Sequence, residues 1–227
     1  MSEHFRLVSA NLASGKADPR RFRELVEHLG ADVVAVQELA ATQAAALAQA
    51  LPFGRLEPGS HSTGMGIALR KPGSASHVPL PHRGGWVANF TPDGAPAAVE
   101  ILNVHILAPH IMPTWRTAAA RRAQFQALET YLSATPRQCR IVVGDLNSTS
   151  LWPGYRRLRR WLGDAAVEVA GREGRRPSRT WRPHRRLPRL LRIDHVLTTG
   201  LTAHQVRVLP IDGSDHSAVM VELSVGG

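Results

Sequence analysis

The sequence predicts a layered α/β domain whose sheets are mixed or antiparallel. Three observations point there. Apolar strands and amphipathic helices alternate through the first half of the 227-residue chain, strands dominate residues 64–108, and no repeat of fixed period runs through it. A regular parallel βαβ array would keep alternating to the end, and an all-β chain would have no place for a helical stretch as long as residues 114–134. With 43% hydrophobic residues the chain has the apolar content of an ordinary globular protein, so a packed core is expected over residues 1–227 as one domain.

"FRLVSANLAS" opens the fold as a strand, with Phe5, Leu7 and Ser9 on one face and Asn11 at its exit. "ADPRRFRELVEHLG" follows as a helix. Asp18 caps it, Pro19 suits its first turn, Phe22, Leu25, Val26 and Leu29 recur at helical spacing, and Gly30 stops it. "DVVAVQEL" is a buried strand ending in Gln37 and Glu38, and "TQAAALAQAL" is a second helix. "GMGIALRK" and "GGWVANFT" read as two strands of one hairpin-rich sheet, joined through a Pro/Gly-rich connection. "AAVEILNVHIL" is a long strand carrying His105, and "TWRTAAARRAQFQALETYLSA" is the longest helix. "RIVVGDLNSTS" is an apolar strand that runs into Asp145 and Asn147. Residues 154–192 read as an arginine-rich loop or insertion. They hold thirteen arginines against three acids (Asp164, Glu168 and Glu173), together with Trp161 and Trp181. "RIDHVLTT" is a further strand, and a last hairpin surrounds "LPIDGSDHSAVMVELSV".

The formal net charge is +10. A field of that sign attracts polyanions: nucleic acid, anionic lipid surfaces and phosphorylated substrates. Lys16 and Lys71 are the only lysines, so arginine carries the charge, the bias that a GC-rich genome would give. The single cysteine, Cys139, cannot close an internal disulfide, which fits a reducing compartment. No stretch approaches the roughly 20 apolar residues needed to cross a bilayer. The N-terminal segment has no basic run followed by an apolar one. A cytoplasmic monomer is the expectation, with an exported form trimmed of its leader as the alternative.

Several apolar strands end in residues able to do chemistry: Asn11, Glu38, His105, Asp145 with Asn147, Asp194, and Asp215 with His216. Each has an ordinary structural explanation when taken singly. Asn11 suits a turn or cap, Glu38 the start of a loop, and His105 a satisfied core histidine. Asp145 and Asn147 suit an Asx-turn, Asp194 a strand edge, and Asp215 with His216 a hairpin turn. Together they repeat one arrangement along the chain, at the strand ends where α/β proteins keep their active sites. Carboxylates and amides without paired cysteines suit a hard cation such as Mg²⁺ or Mn²⁺. Imidazoles beside them suit phosphate binding and proton transfer.

Six segments, "SANLAS", "VVAVQEL", "LNVHIL", "VVGDLNS", "RIDHVL" and "GSDHSAV", occur in this order between residues 9 and 219. With them the sequence resembles the endonuclease/exonuclease/phosphatase superfamily, which includes DNase I-like nucleases, abasic-site endonucleases, neutral sphingomyelinases and inositol-polyphosphate 5-phosphatases. The resemblance implies a four-layered α/β sandwich, two mixed β-sheets packed face to face with helices outside. It implies divalent-metal-dependent phosphodiester hydrolysis by in-line attack of water. It also implies roles. Glu38 is the main metal carboxylate, with Asn11 beside it and Asp215 at the metal shell. Asp145 positions or deprotonates the attacking water, and Asn147 orients the site and contacts the phosphate. His216 donates to a phosphate oxygen, its tautomer fixed by Asp194, and His105 faces the scissile phosphate from the leaving-group side. The glutamate that accompanies this histidine in some DNase I-like enzymes has no counterpart in "GMGIALR".

The charge makes nucleic acid the expected partner, with Trp181 and Arg192 as further candidate substrate contacts. One alternative is hydrolysis of lipid or polyprenyl (pyro)phosphate headgroups or of small phosphodiesters. The surroundings of the motifs, "GDLNSTSLWPGYRRL" above all, resemble a bacterial branch linked to such lipids. A non-catalytic nucleic-acid-binding module is the other. A lipid substrate calls for an exposed apolar loop, for which "APHIMPTW", residues 108–115, is the candidate.

Overall fold

The computed structural model describes residues 4–111, 113–184 and 186–226. Met112, within the candidate apolar loop, and Arg185 lie outside the described residues. One sheet has the order β11-β12-β1-β2-β4-β3. Its strands are β1 (His4–Asn11), β2 (Val33–Gln37), β3 (Phe53–Glu57), β4 (Met65–Leu69), β11 (Leu201–Pro210) and β12 (Ser217–Val225). The other has the order β5-β6-β7-β8-β10-β9. Its strands are β5 (Ser74–Val78), β6 (Gly85–Phe90), β7 (Val99–His105), β8 (Arg140–Asp145), β9 (Gly163–Asp164) and β10 (Asp194–Thr199).

Both sheets are mixed for the same reason. Helix α1 (Pro19–His28) carries the chain back between β1 and β2, which pair in parallel. Helix α3 (Thr114–Ala134) does the same for β7 and β8. The other strand pairs are antiparallel. The α1 signals act as expected: the Asp18 carboxylate accepts the Arg21 N–H at 2.9 Å, and Gly30 leaves the helix at φ +60°.

Alternation along the strands builds the four layers. Phe5 and Leu7 of β1, Val33 and Ala35 of β2, Ile101 of β7, Ile141 and Val143 of β8 and Val196 of β10 form the core between the sheets. Val8, Ala10, Val34 and Val36 point the other way, against Phe22 and Val26 of α1 and Leu47 of α2 (Ala41–Ala50). Leu102, Val104, Val142 and Leu197 pack outward on Phe125, Leu128 and Leu132 of α3 and on Leu158 of α4 (Pro153–Leu158).

Two expectations are corrected. The strands at residues 65–69 and 85–90 belong to different sheets: β4 pairs with β2 and β3, while β6 pairs with β5 and β7. Alternation marks a strand without naming its partner. Residues 154–192 are not one loop. They hold most of α4, then β9 and helix α5 (Ala165–Arg172), and only then a long irregular segment that runs to β10. The arginine count masked the apolar spacing of Tyr155, Leu158, Val169 and Ala170, all buried.

Candidate active site

The apolar stripe between the sheets turns polar at one end. On the inward parity, Phe5 and Leu7 are followed by Asn11, Val33 and Ala35 by Gln37, Ile101 by Asn103 and His105, and Ile141 and Val143 by Asp145. The parallel pairs bring the ends level: Asn11 lies opposite Gln37, and His105 opposite Asp145. The antiparallel strand β10 starts at the same end, with Asp194 opposite Asp145. An amide bridge closes the core beneath the site. Gln37 donates to Asn103 Oδ1 at 2.6 Å, and Asn103 donates to the carbonyls of Val36 and Gly66, each at 2.8 Å.

Above it opens a cavity of about 570 Å³. Asn11, Glu38, His105, Asp145, Asn147, Trp181, Asp215 and His216 all line it. The Asp145 carboxylate is buried and fully engaged. Oδ2 accepts from the Asn11 and Asn147 amides at 3.1 and 2.9 Å, and Oδ1 accepts the Asn147 backbone N–H at 2.8 Å. Burial, opposed by His216 and reinforced by Asp194, pushes the Asp145 carboxyl well above the usual carboxylate range. His216 Nδ1 stands 3.0 and 3.1 Å from the two Asp194 oxygens, while Nε2 lies 3.8 Å from Asp145 Oδ2. Burial disfavours its charge, but Asp194 and Asp145 outweigh burial and lift the imidazole well above its ordinary value. Asp194 stands behind His216 and is itself held by the Thr180 hydroxyl at 2.6 Å.

His105 is buried, with Nε2 3.6 Å from Asp145 Oδ2 and 3.7 Å from Glu38 Oε1. Its close neighbour is Arg83, whose Nη1 lies 2.6 Å from Nδ1 and 2.8 Å from Nε2 and whose Nη2 donates to Ser62 Oγ at 2.8 Å. Burial, then the charges of Arg83 and His216, hold this imidazole well below its ordinary value. Arg83 is the site residue that sequence reasoning missed. It lies in the connection between β5 and β6, outside every motif, and only its place in space marks it. A cation thus stands where a glutamate partner for His105 was sought.

Glu38 leaves β2 in the left-handed region at φ +56°, with Oε2 accepting from Ser14 Oγ at 2.9 Å; Asn147 is left-handed too, at φ +45°. Backbone strain of this kind gathers at functional positions. Asp215 accepts the Trp181 indole N–H at 2.9 Å. Arg192, expected as a substrate contact, is corrected. It does not line the cavity, and its Nη1 donates to both Asp164 oxygens at 2.8 and 3.1 Å, as the counter-charge of a buried carboxylate. Trp161 is exposed beside Arg157 and Arg160, away from the cavity lining.

The donor set fits a hard divalent cation. Asn11, Glu38 and Asp215 offer amide and carboxylate oxygens at the cavity, and Asp145, Asp194 and His216 bring ligand-competent atoms within 4.8 Å of one another. In the second grouping His216 Nδ1 is already engaged by Asp194.

A family model described as Endonuclease/Exonuclease/phosphatase matches residues 8–216. No curated protein matches the sequence. Among solved structures, an endonuclease/exonuclease/phosphatase from Beutenbergia cavernae shares 20% identity with a TM-score of 0.75, over 99% of this chain and 72% of that one. A functionally unknown conserved protein from Enterococcus faecalis shares 17% at TM-score 0.77, over 97% of this chain and 100% of that one. TDP2 of D. rerio, complexed with a single-strand DNA product, shares 15% at TM-score 0.72, over 98% of this chain and 100% of that one. These likenesses extend to the fold, two six-stranded mixed sheets with helices outside. With the family model spanning nearly the whole chain and the catalytic-type residues gathered in one cavity, the protein belongs to the Endonuclease/Exonuclease/phosphatase family and is a metal-dependent hydrolase of phosphoric esters.

Proposed function

We propose that the chain hydrolyses phosphodiesters by in-line attack of water, with nucleic acid as the substrate and Mg²⁺ or Mn²⁺ as the cofactor. The observation that carries this reading is the pairing of a buried Asp145, held by Asn11 and Asn147, with His216, held by Asp194, across 3.8 Å in the lining of the cavity. Asp145 takes the proton of the attacking water. Its raised carboxyl is suited to a general base working near neutral pH. Asn147, fixed by its own donation to the Ile106 carbonyl at 2.9 Å, orients the phosphate. His216, kept protonated by Asp194, directs Nε2–H at a non-bridging oxygen and stabilises the charge of the pentacoordinate state. His105 faces the leaving-group side, and the adjacent Arg83 guanidinium supplies positive charge there. Glu38, Asn11 and Asp215, which line the cavity, would hold the cation, and it would supply polarisation of the phosphoryl oxygens.

The nucleic-acid reading draws on the net charge of +10 and on the single-strand DNA bound by the D. rerio neighbour. A second reading, lipid-phosphate headgroups, is favoured by one observation: in the 108–115 segment Ile111, which lines the cavity, and Trp115 are both exposed. Among the described residues no helix is long and apolar enough to cross a membrane. The test is a panel of plasmid DNA, single-stranded DNA, RNA, bis-p-nitrophenyl phosphate, sphingomyelin and a polyprenyl pyrophosphate, each with Mg²⁺, Mn²⁺ or EDTA. DNA nicking abolished by EDTA is the expected result, and hydrolysis confined to lipids would overturn the nucleic-acid reading. Asp145→Asn and His216→Ala should each lower turnover by about 10²–10⁴-fold. Near-normal activity in both would overturn the mechanism.

A further inference from the structure

Three stretches of sequence without an acid contribute to the wall of the cavity. Residues 106–128, 146–163 and 174–193 contain fifteen arginines and no Asp or Glu. Each sends residues to the cavity wall: Ile111 from the first, Trp152 from the second, Trp181 and Leu191 from the third. Among the described residues, the same stretches carry most of the exposed large apolar side chains. Leu151 is 82% exposed, Trp115 68% and Ile111 48%, and Leu187, Leu190 and Leu191 are also exposed. Arg116, Arg122, Arg156, Arg179 and Arg186 stand exposed among them. The Arg116 guanidinium lies over the Trp115 ring at 4.9 Å.

The first two stretches meet beside the cavity. Pro109 and Trp152 form a wall shared with a second groove of about 400 Å³, floored by Phe125 and edged by Ala118, Pro153, Arg122 and Arg157. Apolar surface therefore continues from the catalytic cavity across Trp152 into this groove.

A nucleic-acid strand would use the arginines and stack on the tryptophans, but it has nothing for Leu151, Ile111, Leu187 or Leu190, which neither stack nor donate. Aliphatic tips and tryptophans mixed with arginines, in stretches whose own sequence holds no acid, match the boundary of an anionic bilayer. There the apolar side chains enter the acyl region, tryptophan rings sit at headgroup level, and arginines remain with the lipid phosphates. Each arginine near such a surface adds to the attraction, and an intervening carboxylate would subtract from it. We propose that the exposed apolar side chains of the three stretches that reach the cavity wall, Ile111, Trp115, Leu151, Trp152, Leu187 and Leu190, dock with the arginines between them on the surface of an anionic lipid bilayer, with the cavity mouth facing it. The proposal concerns these side chains and stands whichever phosphodiester the cavity cleaves.

The test is sedimentation of the full chain with vesicles of phosphatidylcholine alone or of phosphatidylcholine mixed with phosphatidylglycerol. The wild type binds the anionic vesicles, leaves the neutral ones, and releases as salt rises. Leu151→Ser and Trp115→Ser each weaken anionic binding by roughly ten-fold or more, the loss expected when one large apolar side chain no longer enters the bilayer. Both keep wild-type hydrolysis of the soluble ester bis-p-nitrophenyl phosphate, which separates docking from the chemistry of the cavity. No binding to anionic vesicles at low salt, or binding that both substitutions leave unchanged, would overturn the proposal. Substitutions that weaken the retention of single-stranded DNA while leaving vesicle binding intact would also overturn it, and would assign these side chains to nucleic acid.

Discussion

Gly144 adopts φ +132°, and a Cβ placed on it would sit 2.0 Å from the Val104 carbonyl oxygen. No L side chain takes that conformation without strain, so the glycine of "VVGDLNS" is a geometric requirement of the parallel β7–β8 pair. It lets Asp145 stand level with His105 at the end of the strand. Gly144→Ala should destabilise the fold by about 1–3 kcal/mol. It should also shift Asp145 enough to cost on the order of 10²-fold in kcat, since misplacement of about 1 Å has that effect. Thermal melts and steady-state rates measure the two losses. Arg83 poses a different problem at the same scale. It is one of twenty-six arginines and no motif marks it, so its approach to His105 emerges only when the β5–β6 connection is folded against β7. Arg83→Met keeps the aliphatic stem and removes the charge. If the guanidinium contacts the phosphate, kcat/KM falls about 10–100-fold, the equivalent of one charged hydrogen bond, and Tm changes little. A drop in Tm with normal kinetics would make Arg83 structural. Arg192 shows the converse. Its position beside "IDHVL" drew attention, yet its fork is spent on Asp164.

The strands were legible as elements because their inward stripes are apolar until the last residue or two, where Asn11, Gln37, His105 and Asp145 break the pattern together. Pairing was not legible, because partners far apart in sequence leave no local mark: alternation alone does not separate β4 from β6, which lie in different sheets. The α4–β9–α5 region was hidden for a further reason: one buried carboxylate organises it. Asp164 caps α5 through the Val167 N–H at 3.1 Å, accepts the Tyr155 hydroxyl at 2.6 Å and Arg192 Nη1 at 2.8 Å, and lies 3.5 Å from His195 Nδ1 on β10. Burial by itself would raise its pKa. His195, Arg192 and Tyr155 more than reverse that and hold it well below the usual carboxylate range. A depressed carboxylate contributes stability that is complete above its unfolded pKa of about 4 and disappears as pH falls through the folded value. Asp164→Asn should therefore cost about 3–5 kcal/mol near neutral pH, because it leaves Arg192 buried without its counter-charge. The gap between the variant's Tm and that of the wild type should narrow as pH falls below about 4. A gap that stays constant from neutral to acid pH would show that Asp164 acts through packing alone.

Across the whole molecule, the two sheets each supply carboxylates to one cavity. Glu38 follows β2 and Asp215 precedes β12 of the first sheet, and Asp145 ends β8 of the second. Three apolar layers hold the sheets and helices together without help from this end, so a cation is not needed to form the fold. Zinc-finger-like dependence, in which chelation unfolds the chain, is accordingly not expected here. The cation should instead add stability by mass action. At one hundred times its dissociation constant the gain is about 2.7 kcal/mol. A chain of this size gains roughly 2–4 °C per kcal/mol, so saturating Mg²⁺ or Mn²⁺ should raise Tm by about 5–10 °C. EDTA should remove that increment and all activity while the far-UV signal stays folded. Glu38→Asn locates the effect. Asparagine tolerates the left-handed backbone that Glu38 adopts at φ +56°, so the metal-free variant should melt no lower than the metal-free wild type. Having lost the carboxylate, it should show little or no rise with Mg²⁺. A Glu38→Asn protein that gains the full wild-type increment would move the cation away from Glu38, towards the Asp145, Asp194 and His216 group.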